Sequence, residues 1–353
     1  MIRARAAWSA AFVLAFSFPL THAGGWNREA ALAFQTSQSA PAAGPAAAAK
    51  PEKASASRLT VAANVTLRAL PSTTAATVAQ LPLGTELVDA GPADLDRTWL
   101  RVKIADGREG WLRGNLTRTI DPAWRWPAFD RLIAERLGRK GDGFAAQAEL
   151  VAFIDRVAPE YTDLEGRARI DLARLRAIQA ALGSMPFDAG RREPYAAWIA
   201  ARKSDVTYDA PAGRWILSSA PIWDLQTKHG ATATADDIAW FAVTNGLPGE
   251  CEGYLPCYLR WRNRLQGEYL RRQPNGRHAE EAIGLVKTTA DTLSAPPKPH
   301  EAYDFDRTRD CRDLTASIDA LVGAIKLSGA ARAPNRDAAI GSLNGLRKVC
   351  GAG

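Results

Sequence analysis

Two hydrophobic periods divide the chain. Between Leu59 and Ile120, apolar residues recur at every second position in short runs broken by turn residues, the signature of half-buried antiparallel strands. The runs fall at residues 65–69, 77–81, 86–90, 98–104 and 109–113. Asp106-Gly107 between the last two predicts a type I′ hairpin, whose central residues both need positive φ. In that register Leu100, Val102 and Ile104 share an inner face, while Trp99, Arg101 and Lys103 share the outer one. From Pro122 onward the spacing becomes three and four, which predicts helices. Phe129, Leu132, Ile133 and Leu137 form one face, and Phe144, Ala148, Val151 and Ile154 another. A capping box over residues 162–165 opens a third helix, lined by Ala168, Leu172, Leu175, Ile178 and Leu182 and stopped at Gly183. Residues 206–217, with Pro211 and Gly213, suggest an irregular turn or short hairpin; helices resume near Pro221, Thr234, Pro256, His278, Asp306 and Asn335. The expected fold class is multi-domain, a small all-β barrel followed by an all-α helical domain.

The flanks read differently. Arg3 and Arg5 precede an apolar run at residues 6–20, and Thr21-His22-Ala23 ends on a small residue, so residues 1–23 read as a secretory signal peptide. The alternative is a retained anchor, but the run is interrupted by Ser9, Ser17 and Pro19 and is shorter than the ~20 residues a span needs. No later segment is apolar enough to cross a bilayer. Residues 24–57, rich in Ala, Pro and Ser, cannot bury a core and read as a flexible linker. The remaining divisions are a β domain at 58–120, a helical domain at 121–293, a Pro-rich linker at 294–305 and a C-terminal helical hairpin at 306–353.

Composition narrows the class of molecule. Of the 353 residues 46% are apolar and 24% charged, which excludes chain-wide disorder and a fibrous protein. The formal charge of +7 falls to +5 without Arg3 and Arg5, a mild bias toward acidic partners. Four Cys in an exported chain point to disulfides. Cys251 and Cys257 bracket a short segment containing Gly253 and Pro256; Cys311 and Cys350 lie at mirrored positions about a turn at residues 328–335. The expected pairs are Cys251 with Cys257 and Cys311 with Cys350. A metal site is disfavoured, because there is no CxxC pair and few His.

The β region carries a resemblance. Val65-Thr66-Leu67-Arg68-Ala69-Leu70-Pro71-Ser72, then Leu81-Pro82-Leu83-Gly84-Thr85, Trp99-Leu100-Arg101-Val102-Lys103 and Gly107-Arg108-Glu109-Gly110-Trp111-Leu112 resemble, in order and spacing, a bacterial SH3 domain of the SH3b type. The match covers about a sixth of the chain, and residues 91–97 are slightly long for the corresponding loop. The resemblance implies a binding module for cell-wall peptide or another extended peptide, and no catalysis. An aromatic-lined groove suits such a ligand, and Arg68, Trp99, Arg101 and Trp111 are the candidate ligand-binding residues. Alternation places Trp99 outward; Trp111, at a strand start after Gly110, is either core or binding. A second likeness, at residues 267–283, is to the helix, Pro-Asn-Gly turn and helix of tetratricopeptide-like repeats, in one copy only.

Catalytic patterns were sought as well. HExxH, GxSxG, Ser-x-x-Lys and phosphate loops do not occur, and no cofactor is implied. His229, His278 and His300 are far apart in sequence and read as surface or capping residues. Glu250 and Glu252, on the Cys-bracketed segment beside Tyr254, are the only candidates for the acid of a glycoside hydrolase. Trp124, Trp126, Trp198, Trp215, Trp223, Trp240 and Trp261 suit packing better than carbohydrate stacking. Arg260, Arg262 and Arg264 with Arg271 and Arg272 form a basic stretch, but an export signal separates it from nucleic acid. The expectation is a periplasmic or secreted binding or scaffolding protein of the cell envelope. Its partners would be wall polymer, an extended peptide or another envelope protein. The rival is a peptidoglycan hydrolase targeted by the β domain, and a signalling role stays open.

Overall fold

The computed structural model describes residues 56–295, 302–329 and 333–351. The signal-like segment, nearly all of the Ala/Pro-rich linker, residues 296–301 and His300 lie outside them. Strands β1 (Ser57–Thr60), β2 (Val65–Arg68), β3 (Thr77–Leu81), β4 (Glu86–Asp89), β5 (Trp99–Lys103), β6 (Glu109–Arg113) and β7 (Thr117–Ile120) form one antiparallel sheet in the order β3-β2-β6-β5-β4-β1-β7. The order is open, with β3 and β7 at its two ends. Val65, Leu67, Ala79, Leu81, Leu87, Val102, Ile104 and Leu112 fill its core.

The β5–β6 turn corrects the type I′ expectation. Gly107 has φ +91°, whereas Asp106 is not left-handed. Its carboxylate instead accepts from the Arg108 N–H at 3.0 Å and from the Arg108 guanidinium. One left-handed Gly after an ordinary turn closes the hairpin, leaving Ile104 bonded to Arg108.

The helices that follow are α1 (Trp126–Leu137), α2 (Phe144–Val157), α3 (Leu164–Gly183), α4 (Tyr195–Ala200), α5 (Ser219–Lys228), α6 (Ala235–Asn245), α7 (Leu255–Arg262), α8 (Glu268–Arg272), α9 (Ala279–Ser294), α10 (Arg307–Lys326) and α11 (Ala333–Arg347). A two-stranded hairpin, β8 (Val206–Asp209) and β9 (Arg214–Leu217), interrupts them, so the region is not purely α. At α3 the N-cap is Asp163, which accepts from the Gly166 N–H at 2.7 Å. Glu165 does not turn back, as a capping box requires. It accepts from the Ala233 N–H and the Thr234 hydroxyl, satisfying donors at the start of α6.

Sheet and helices share a core. Leu59, Leu83 and Ile120 pack with Phe129, Leu132, Phe153 and Ile154. Glu149 accepts from the Leu83 N–H at 2.6 Å, and Arg156 donates to the Leu83 carbonyl at 2.5 Å. Between them Gly84, at φ +72°, lies flat on the Phe153 ring: a Cβ there would stand 2.1 Å from Phe153 Cε2. A second core joins α6 through α11, with Leu259, Tyr269, Val286, Leu314, Leu321 and Leu343 buried.

Disulfides join Cys251 to Cys257 and Cys311 to Cys350, with Cα separations of 5.5 and 5.6 Å, in the pairing that spacing predicts. Among the described residues no helix is long and apolar enough to cross a membrane.

Candidate functional site

Register assembles the first candidate site. Strands β2, β6 and β5 are neighbours, and within them Arg68 pairs with Trp111 and Trp111 with Arg101. The three side chains therefore stand in a row across the sheet, on one face. Gly110 permits the close approach of β2 to β6, since a Cβ there would lie 2.7 Å from the Arg68 carbonyl oxygen. Trp111 is half-buried. Arg68 donates through Nη1 to the Ala75 carbonyl at 2.7 Å, and Arg101 through Nη2 to Glu109 at 2.9 Å. Both guanidiniums are thereby fixed, Arg68 on the β2–β3 turn and Arg101 on its β6 neighbour. The exposed Leu70 extends the row toward the β2–β3 turn.

Trp99 departs from expectation. Its register is that of the outer face, opposite Arg113, yet only 8% of it is exposed. Residues 91–97 double back on it: the Trp99 N–H donates to Asp94 Oδ1 and its carbonyl accepts from the Asp94 N–H. The Arg113 guanidinium lies over its ring, 5.6 Å from the centroid. The loop holds the Trp99 backbone and Arg113 covers the indole, so strand alternation alone cannot predict its exposure. Register brings Arg68, Arg101 and Trp111 together on one face of the sheet, whereas Trp99 is buried and does not join them at the surface.

The Cys251–Cys257 loop presents no buried acid. Glu250 and Glu252 are both exposed, the latter at φ +45°. The loop instead docks on the start of α10: Tyr254 bridges to Asp304, and its hydroxyl donates to Asp310 at 3.1 Å. The Arg309 guanidinium, with the Asp306 N–H and this hydroxyl, overcomes burial and holds the Asp310 carboxyl well below the usual carboxylate range.

Both described histidines are tied into the helical packing. His278 is the N-cap residue of α9, and its ring stacks on Trp240 at 4.5 Å. His229 follows the end of α5 but is not at the surface: it is 3% exposed, with Nε2 2.9 Å from Asp171. Asp171 also accepts from Lys228 and pairs with Arg167. No group of His, Cys, Asp and Glu among the described residues could hold a metal ion.

Cavities open elsewhere in the helical region. One of about 400 Å³ lies where Phe187, Tyr208 and Trp215 meet beside the β8–β9 hairpin, flanked by the exposed Arg191 and Arg214. Another, of about 510 Å³, lies between α7 and α9. There α7 continues into a π turn at Asn263–Gly267 before α8, and Tyr258, Trp261, Arg262 and Leu265 share a face at helical spacing. In sequence these residues are visible only as part of a basic stretch and a scatter of Trp; the π turn has no sequence signal of its own. No family model, no curated protein and no solved structure matches this chain.

Proposed function

We propose that this chain is an exported binding or scaffolding protein of the cell envelope, whose sheet is a bacterial SH3-type barrel gripping an extended anionic ligand such as cell-wall peptide. The observation that carries the reading is the Arg68–Trp111–Arg101 row. A half-exposed indole between two oriented guanidiniums offers an apolar face and charge-assisted hydrogen bonds to an extended chain bearing carboxylates. Two disulfides suit an oxidising compartment such as the periplasm or the exterior. The exposure of Glu250 and Glu252 favours binding over hydrolysis, because a glycosidase acid needs a sheltered carboxyl with a raised pKa.

The test is co-sedimentation of the chain from Gly24 onward with purified sacculi, scored with the release of soluble fragments. Binding without release is expected, weakened about ten-fold or more in Trp111→Ala and less in Arg101→Gln, with unchanged circular dichroism. Release of fragments abolished by Glu250→Gln or Glu252→Gln would replace this reading with the hydrolase.

A further inference from the structure

Most arginines in the helical region have acidic partners. Arg174 bridges Asp155 and Asp205, Arg272 bonds Glu268, and Arg309 bonds Asp310. Arg262 is different. It is half-buried at the end of α7, where its Nε donates to the Thr289 hydroxyl of α9 at 2.7 Å. That hydroxyl in turn donates to the Leu285 carbonyl at 2.9 Å, so the contact is fixed in direction. Among the described residues no carboxylate lies within ion-pair reach of the guanidinium. Burial lowers its pKa with no opposing charge beside it.

The surroundings of this cation are those of a ligand site. The cavity of about 510 Å³ is lined by Tyr258, Trp261 and Tyr303 and, on α9, by the exposed Thr288 and Thr292. Its volume lies within the range of small-molecule pockets, roughly 300–1,000 Å³. Tyr258 and Tyr303 meet edge to face at 5.7 Å, which stiffens the aromatic side. The π turn that begins at Asn263 adds one residue to the helical turn. Ahead of it Tyr258, Trp261, Arg262 and Leu265 face the cavity at ordinary helical spacing, and beyond it Tyr269 and Leu270 return to the core. Such turns interrupt helices mostly where function needs a side chain re-aimed.

We infer that this cavity binds a small organic carboxylate, with its ring or short acyl body against Tyr258, Trp261 and Tyr303 and its carboxylate on the Nη groups of Arg262. One guanidinium matches one carboxylate in its planar two-pronged geometry. A phosphate dianion would call for further positive charge, and among the described residues no second cation lines the cavity.

Calorimetric titration of the full chain with benzoate, phenylacetate and hexanoate, each beside its neutral amide, tests this. At least one carboxylate is expected to bind with Kd below about 10 mM and its amide at least ten-fold more weakly. Arg262→Gln should erase the difference, and Arg264→Gln, at an exposed neighbour, should leave it. A ligand-free arm uses Arg262→Met. Removing an unpaired, partly buried cation while Thr289 keeps its bond to Leu285 should raise Tm by about 2–4 °C, whereas a fall would make Arg262 a structural strut. Absence of binding by all three carboxylates, or binding that Arg262→Gln does not change, overturns the inference. The sheet-face reading stands or falls separately, because Trp111→Ala should leave these titrations unaltered.

Discussion

Single positions hold this molecule to its shape by contact and by charge. Gly84 meets the Phe153 ring at a distance no Cβ tolerates and with a backbone that L side chains rarely adopt. Gly84→Ala should therefore destabilise by about 2–4 kcal/mol through overpacking and φ strain together, measured as a shift in the denaturant midpoint. A loss under about 1 kcal/mol would mean that the sheet rides loosely on α2. Asp171 acts through charge. Burial pushes its carboxyl up, but the hydrogen bonds from His229 and Lys228 and the Arg167 charge outweigh burial and hold it below the ordinary value. Its folded pKa is thus below the unfolded one, about 3.9. The stabilisation is present above that pH and is lost as pH falls through the folded value. Midpoints between pH 6 and pH 3 should fall more steeply in the native chain than in Asp171→Asn; parallel curves would remove Asp171 from the acid response.

Elements show what the sequence could and could not reveal. Strands β3 and β6 match the expected runs residue for residue, because Thr77–Leu81 and Glu109–Arg113 alternate cleanly between turn signals. Strands β1 and β7 were not among the expected runs. Ser57–Thr60 and Thr117–Ile120 each carry three polar residues in four and extend only by pairing with each other and, for β1, with β4. Helix starts near Thr234, His278 and Asp306 fall where the sequence places them, though only Asp306 caps its helix with a side chain. The exchange in which Asp163 caps α3 while Glu165 serves α6 was not legible, since its donors lie 68 and 69 residues away. The row on the sheet was legible by alternation; the covering of Trp99 depended on Arg113 and on a loop with no periodicity. The helical hairpin of α10 and α11 is pinned by Cys311–Cys350 across a separation of 39 residues, worth about 4 kcal/mol in the chain-entropy model. Under reductant, protease cuts should appear first in α10 and α11. Earlier cuts in residues 57–120, which contain no Cys, would contradict this.

At the scale of the molecule, the shared core of Leu59, Leu83 and Ile120 with α1 and α2 makes sheet and first helices one cooperative body. In denaturant series of hydrogen exchange, the amides of Val102 and Leu112 should lose protection together with those of Leu150 and Ile154. A sheet that opens at clearly lower denaturant would show that Gly84 and Arg156 do not couple them. The pattern of bridges has a consequence for how the chain matures. Each cysteine bonds the next one along, so the two loops neither cross nor nest. A chain threaded N-terminus first into an oxidising space closes the short loop before Cys311 arrives, and then has two thiols left with one way to pair. For a chain delivered in that way, maturation would need an electron acceptor and no reshuffling enzyme, and oxidation would keep pace with delivery instead of waiting for the finished fold.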